Sequence, residues 1–145
     1  MESLTIISLG LGVQSTCLYY MSSLGELPRA DYAVFADTGK ERKATYDYLR
    51  YLLSWQDVHN GIPIIICSDR NLFTDLLSSA NSSGRRFASI PCFTKNESGT
   101  TGMLRRQCTG EYKIAPVDIA IRQLYGLRKG QRRPRTFVWQ GWRFR

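Results

Sequence analysis

The chain has one histidine, His59, and four cysteines, no two of which form a close Cys-x-x-Cys pair. Zinc and iron–sulfur centres need clustered Cys and His ligands, so neither is expected. Cys17, Cys67, Cys92 and Cys108 are also too scattered for a disulfide scaffold. Long apolar runs are missing too. The longest, around residues 4–7 and 62–67, fall far short of the roughly 18 residues that a membrane-spanning helix requires. Glu2 stands where a signal peptide carries positive charge, and no small-residue cleavage site follows. A mature, cytoplasmic protein without membrane partners is the expectation.

Negative charge is absent from the end of the chain. Up to Asp118 there are 12 basic and 12 acidic residues, which cancel. Beyond it stand Arg122, Arg128, Lys129, Arg132, Arg133, Arg135, Arg143 and Arg145, with no acidic residue among them. The whole net charge of +8 therefore sits in the last 27 residues. Such asymmetry points to a polyanionic partner, and Arg128, Lys129, Arg132, Arg133 and Arg135 are its candidate contacts with nucleic acid. Phe137, Trp139, Trp142 and Phe144 are interleaved with these cations and offer stacking surfaces. Their alternation along a strand equally suits core packing.

What is present reads as one domain of 145 residues, large enough for a real core, with 43% hydrophobic and 22% charged residues. Residues 4–8, 32–36, 62–67 and 136–139 are short apolar runs that predict buried strands. Helices are predicted over 14–24 with Gly25 as stop, over 41–54 with an apolar stripe, over 71–80, and from Pro116 to a stop at Gly126. Residues 81–109 read as a long irregular segment, a kind that is commonly functional. Strands alternating with helices, each strand a continuous apolar run, imply a mainly parallel sheet with helices on both faces, a three-layer α/β domain. Ligands of such sheets lie at the carboxyl ends of the strands.

Three segments carry candidate chemistry. The first, Ser8-Leu9-Gly10-Leu11-Gly12-Val13-Gln14-Ser15-Thr16, joins a strand to a helix. Unpaired amides at a helix start attract anions, glycines admit a close approach, and the hydroxyls add donors. It is neither a Walker A loop nor G-x-G-x-x-G. A glycine turn used only for packing is the competing reading. The second is Asp37-Thr38-Gly39-Lys40-Glu41. Asp37 suits a ribose, a metal or an amine, whereas Glu41 is expected to cap the helix that it opens. The third runs from Arg105 to Pro116 and includes Arg106, Cys108 and Lys113. Arginine forks suit phosphate or sulfate, and a solvated basic loop is the alternative. Cationic neighbours would favour the thiolate of Cys108 if it lines a site, while a buried small residue is the other possibility.

Taken in order, these segments resemble the phosphoadenosine phosphosulfate reductase-like branch of the adenine-nucleotide α-hydrolase superfamily, to which the PP-loop ATP pyrophosphatases belong. Ser8-x-Gly10-x-Gly12-Val13-Gln14-Ser15-Thr16 is similar to its pyrophosphate loop, with Gln14 where many relatives have Asp. Ala36-Asp37-Thr38-Gly39-x-Glu41 resembles the second motif. Arg106-Gln107-Cys108-Thr109-x-x-Tyr112-Lys113-Ile114-x-Pro116 resembles the third, and Val138-Trp139-Gln140-Gly141-Trp142-Arg143 the fourth.

The resemblance implies a Rossmann-like fold of the HUP type that binds ATP or phosphoadenylyl sulfate, with Mg²⁺ as a possible companion. Ser8, Gly10, Gly12, Val13, Gln14 and Ser15 would surround the phosphates. Asp37, Thr38 and Gly39 would lie near the ribose or metal, and Arg106 and Lys113 would neutralise a distal phosphate or sulfate. Asp37, Cys108 and Lys113 are the catalytic candidates. The implied chemistry is adenylation with release of pyrophosphate, or sulfur transfer. The Glu-Cys-Gly-x-His tail of the sulfate-reducing members and the acidic element after the fourth motif do not occur before Arg145. The resemblance thus implies a domain shortened at its C-terminus, adenylating rather than sulfate-reducing. A protein that binds or modifies nucleic acid through its basic segment is the alternative.

Overall fold

Ile6 and Ile7 are adjacent, both fully buried, and belong to different cores. Side chains on a strand alternate between faces, so such a pair requires a strand covered on both sides. In the computed structural model, which describes residues 3–68, 70–78, 93–103 and 109–140, that strand is β1 (Thr5–Ser8). It is followed by α1 (Val13–Leu24), β2 (Tyr32–Ala36), α2 (Lys43–His59), β3 (Ile64–Cys67) and α3 (Leu72–Leu77). A hairpin of β4 (Phe93–Lys95) and β5 (Thr101–Met103) comes next. A π-helical turn (Gly110–Ile114), α4 (Ala115–Leu124) and β6 (Phe137–Trp139) complete the described order.

The main sheet has the order β3-β2-β1-β6, and every pair in it is parallel. On one face Ile7, Leu9 and Ala33 meet Tyr19 of α1 and Leu52 of α2, with Trp139 packed alongside. On the other, Ile6 and Val34 meet Ala120 and Ile121 of α4 and Tyr125 just beyond it. Helices thus cover both faces of a parallel sheet, as the run of apolar strands predicts. Full burial of an isoleucine is worth ~1.5–3 kcal/mol, so Ile6 and Ile7, on opposite faces of β1, anchor one layer each. No helix among the described residues is long and apolar enough to cross a membrane.

Several boundaries differ from the sequence expectation. Helix α2 runs on to His59 instead of stopping near Ser54, because Trp55 lies edge-on to Tyr19 and Tyr20 and stacks with His59. Asn60 ends it at φ 50°, and Gly61 follows where a Cβ would come within 2.8 Å of the Tyr19 hydroxyl oxygen. The stretch expected to be irregular contains the β4–β5 hairpin, closed by the Asn96 side chain accepting from the Thr100 amide. The final helical segment begins a turn before Pro116, in the π-helical turn. Arg106 and Cys108, together with Arg105, Gln107 and residues 141–145, lie outside the described residues.

Candidate functional site

The chain leaves β1 towards β2 and β3 on one side and returns with β6 on the other. The strand order therefore reverses beside β1, and a crevice opens there at the carboxyl ends. It holds a cavity of about 820 Å³. Ser8 at the end of β1, Ala36 at the end of β2, Val138 of β6 and Gln140 just beyond it form its floor. Gly10, Gly12, Val13, Gln14 and Ser15 line it from the start of α1. Thr109, Lys113, Val117 and Asp118 enter from the π-helical turn and α4, and Glu41 and Arg133 from loops.

The start of α1 is bare. Its cap residue, Gly12, supplies no side-chain hydrogen bond, and the first turn holds no acidic residue. The first intrahelical bond runs from the Thr16 amide to the Gly12 carbonyl at 3.0 Å. The amides of Val13, Gln14 and Ser15 therefore precede the ladder, at the positive end of the helix dipole. Gly12 has φ −85°, open to any residue, and a Cβ built on it meets nothing within 4 Å. Neither conformation nor protein packing requires a glycine there. The left-handed residue of this turn is Leu11, at φ 55°. For a leucine that is a strained conformation, of a kind that clusters at ligand sites.

The cations of the cavity are each paired. Lys113 Nζ lies 3.7 Å from Glu41 Oε1, which also accepts from the Thr38 hydroxyl at 3.0 Å. Arg133 Nη1 donates to Asp118 Oδ1 at 2.5 Å. All four side chains keep a quarter to a half of their surface in solvent. Partly exposed pairs of this kind contribute up to about 1 kcal/mol, so an incoming anion can compete for the cations at little cost.

Glu41 is a wall residue and not a helix cap. Helix α2 starts at Lys43 with Arg42 as its cap, and no acidic residue occupies the first turn. Asp37, Thr38 and Gly39 stand next to the cavity without lining it. Asp37 Oδ1 accepts from the Gly39 amide and from the Tyr46 hydroxyl, both at 2.8 Å, which folds the turn after β2. Burial first, then this bond to Asp37, raises the pKa of Tyr46 above the usual phenol value. Thr38 is buried, and its carbonyl accepts from the Leu72 amide, tying the same turn to α3.

Of the expected site residues, the cavity thus gathers Ser8, Gly10, Gly12, Val13, Gln14, Ser15 and Lys113. Arg133, Asp118 and Glu41 join them. Arg133 was legible only as one cation among many, because its approach depends on a loop and not on a motif. A smaller hollow of about 510 Å³ lies against α1, among Leu11, Val13, Tyr20, Leu24 and Tyr48. Its one charged wall residue among the described residues is Glu26, so it does not suit an anion.

The fold and the cavity define a parallel α/β domain with a crevice at its switch point, lined by a helix start and two ion pairs. Searches of protein-family models, of curated proteins and of solved structures each return no match.

Proposed function

We propose that this crevice binds an adenine nucleotide, with its phosphates at the start of α1. The observation that carries the reading is a convergence. A helix start with free amides and a side-chain-free Gly12 opens on the same cavity as Lys113 and Arg133. The cavity volume, about 820 Å³, falls in the range of small-molecule and cofactor sites. The strand order, with the ligand at the switch point, is consistent with a Rossmann-like domain of the HUP type and with the family resemblance of its loops.

The chemistry that we favour is transfer of a nucleotidyl group. An acceptor's nucleophilic atom attacks the α-phosphorus and forms a new bond to it. The bond to the bridging oxygen breaks, and pyrophosphate leaves with the electron pair. Amides at the start of α1, with Lys113 and Arg133, would hold the charge that gathers on the departing phosphates. Sulfur transfer from phosphoadenylyl sulfate remains the second form of this reading, since the same cationic groups suit its sulfate and phosphates. Among the described residues no three metal-ligating side chains gather. Mg²⁺ would accordingly come with the phosphates, drawing on Glu41 or Asp118 and adding Lewis-acid stabilisation.

Calorimetry with ATP, AMP and adenosine 3′,5′-bisphosphate tests the assignment. Wild-type protein should bind at least one of them, ATP being the favoured ligand. Gly12→Val should abolish the close approach of phosphate to backbone. Ser15→Ala should remove a donor worth ~1–3 kcal/mol to a charged acceptor. No binding of any ligand, or unchanged binding in Gly12→Val, overturns it.

A further inference from the structure

The loop between α4 and β6 is braced from inside. Arg122 Nη2 donates to the carbonyls of Arg128, at 3.1 Å, and Gln131, at 2.9 Å. The Gln131 side chain accepts in turn from the Arg128 amide at 2.6 Å. This arrangement folds the loop on itself and leaves Arg128, Lys129 and Arg132 exposed. Their side chains make no ion pair or hydrogen bond among the described residues. The next residue, Arg133, is a wall of the cavity and pairs with Asp118. Three exposed cations on a pre-shaped loop therefore immediately precede a wall residue of the crevice.

We infer that the loop and the cavity form one surface, and that the nucleotide's acceptor is a single-stranded nucleic acid whose phosphates follow Arg128, Lys129 and Arg132 towards Arg133. The identity of the first ligand rests on the nucleotide reading above. Charge selects the class, because the entire net charge of +8 lies beyond Asp118 and five of the eight cations there sit in this loop. Phe137 selects the unpaired form. It is 44% exposed at the start of β6, where it pairs with Thr5, and its ring lies 5.2 Å from the Arg135 guanidinium, an aromatic and a cation of the kind that hold unpaired bases. A cavity of about 820 Å³ admits a nucleotide-sized group and not a duplex. Asp118 acts against this ligand, since a phosphate must draw Arg133 away from it.

The test follows fluorescent oligothymidylate, oligouridylate and a hairpin duplex by anisotropy across a salt series, with ATP calorimetry in parallel. Single strands should bind more tightly than the duplex. Replacing Arg128, Lys129 and Arg132 by Ala should make the salt slope shallower by about two, at ~0.7 per phosphate contact, and leave ATP affinity unchanged. Arg133→Ala should weaken both ligands, by about tenfold each. Asp118→Asn should tighten the oligonucleotide.

Absence of single-strand binding at low salt, or equal binding by the triple variant, overturns the inference. So does a preference for the duplex, or an Arg133→Ala variant that weakens the oligonucleotide and leaves ATP untouched. If ATP fails to bind while the oligonucleotide still depends on Arg133 and on the loop, the nucleotide reading falls and the polyanion surface stands.

Discussion

At Gly39 the backbone stands at φ 77°, and a Cβ would come within 2.5 Å of the Asn71 side chain. That side chain caps α3 by accepting from the amides of Phe73 and Thr74. An alanine would meet a left-handed backbone, at about 1–2 kcal/mol, and would also displace a cap worth ~1 kcal/mol. Gly39→Ala should therefore destabilise the fold by about 2 kcal/mol or more, which lowers Tm by about 4–8 °C in a domain of this size. Gly12→Ala has neither cause and should cost less than about 1 kcal/mol, the difference between Gly and Ala as a helix cap. If a phosphate is what keeps residue 12 bare, the same alanine lowers ATP affinity. Thermal melts and calorimetry on the two variants separate a structural glycine from a ligand's glycine. A Gly12→Ala protein as unstable as Gly39→Ala would assign both to the turn alone. Both glycines were legible from their place after a strand, but their reasons were not. The reason at Gly39 is a neighbour 32 positions away, Asn71, which no local pattern contains.

Elements were legible where an apolar pattern met a local stop signal, and less so where a distant partner decided. Strands β1 to β3 follow from continuous apolar runs, and α1 ends at Gly25 as its sequence suggests. The length of α2 depends instead on Trp55 meeting Tyr19 and Tyr20 across a helix interface. The π-helical turn depends on Tyr112, whose hydroxyl donates to Asp75 of α3 at 2.7 Å while Arg70 pairs with the same carboxylate oxygen. This tether fixes the turn that carries Lys113 into the cavity, 37 residues in sequence from its anchor. It also has a consequence for pH. Burial, then the bond to Asp75 and that carboxylate's charge, raises the pKa of Tyr112 above the ordinary phenol value. Burial likewise raises that of Tyr19, whose hydroxyl donates to the Ile62 carbonyl at 2.9 Å.

The native state therefore keeps protons that the unfolded chain releases near pH ~10. This contribution is fully present below that pH and is lost as pH rises through the raised native values. Thermal melts should show stability falling above about pH 10. Tyr112→Phe should be about 1 kcal/mol less stable at neutral pH and fall less steeply in alkali. A variant that falls as steeply as wild type would mean that Tyr112 does not hold its proton in the native state.

At the scale of the molecule, the cavity joins parts of the chain that lie far apart in sequence. Its walls run from Ser8 to Gln140, and the two strands at its switch point, β1 and β6, are the first and last of the described elements. Among the described residues β6 is an edge strand with β1 as its one partner in the sheet, and Phe137 and Val138 are substantially exposed. Such a strand should open more readily than β1 or β2, which are paired on both sides. A ligand that bridges the start of α1, Lys113 and the β6 side of the crevice would raise the cost of that opening. ATP at a hundred times its Kd should stabilise the protein by ~2.7 kcal/mol, a rise in Tm of about 5–10 °C. Hydrogen exchange gives the sharper test, because any ligand of the native state raises Tm. Bound ATP should slow exchange at Val13 to Ser15, at Lys113 and Ile114, and in β6 together. Arg133→Ala should keep the first effect and lose most of the third, since that residue is the cavity's cation on the segment leading into β6. Protection confined to Val13 to Ser15 would mean that the nucleotide touches the helix start alone, and that the crevice does not act as a single site.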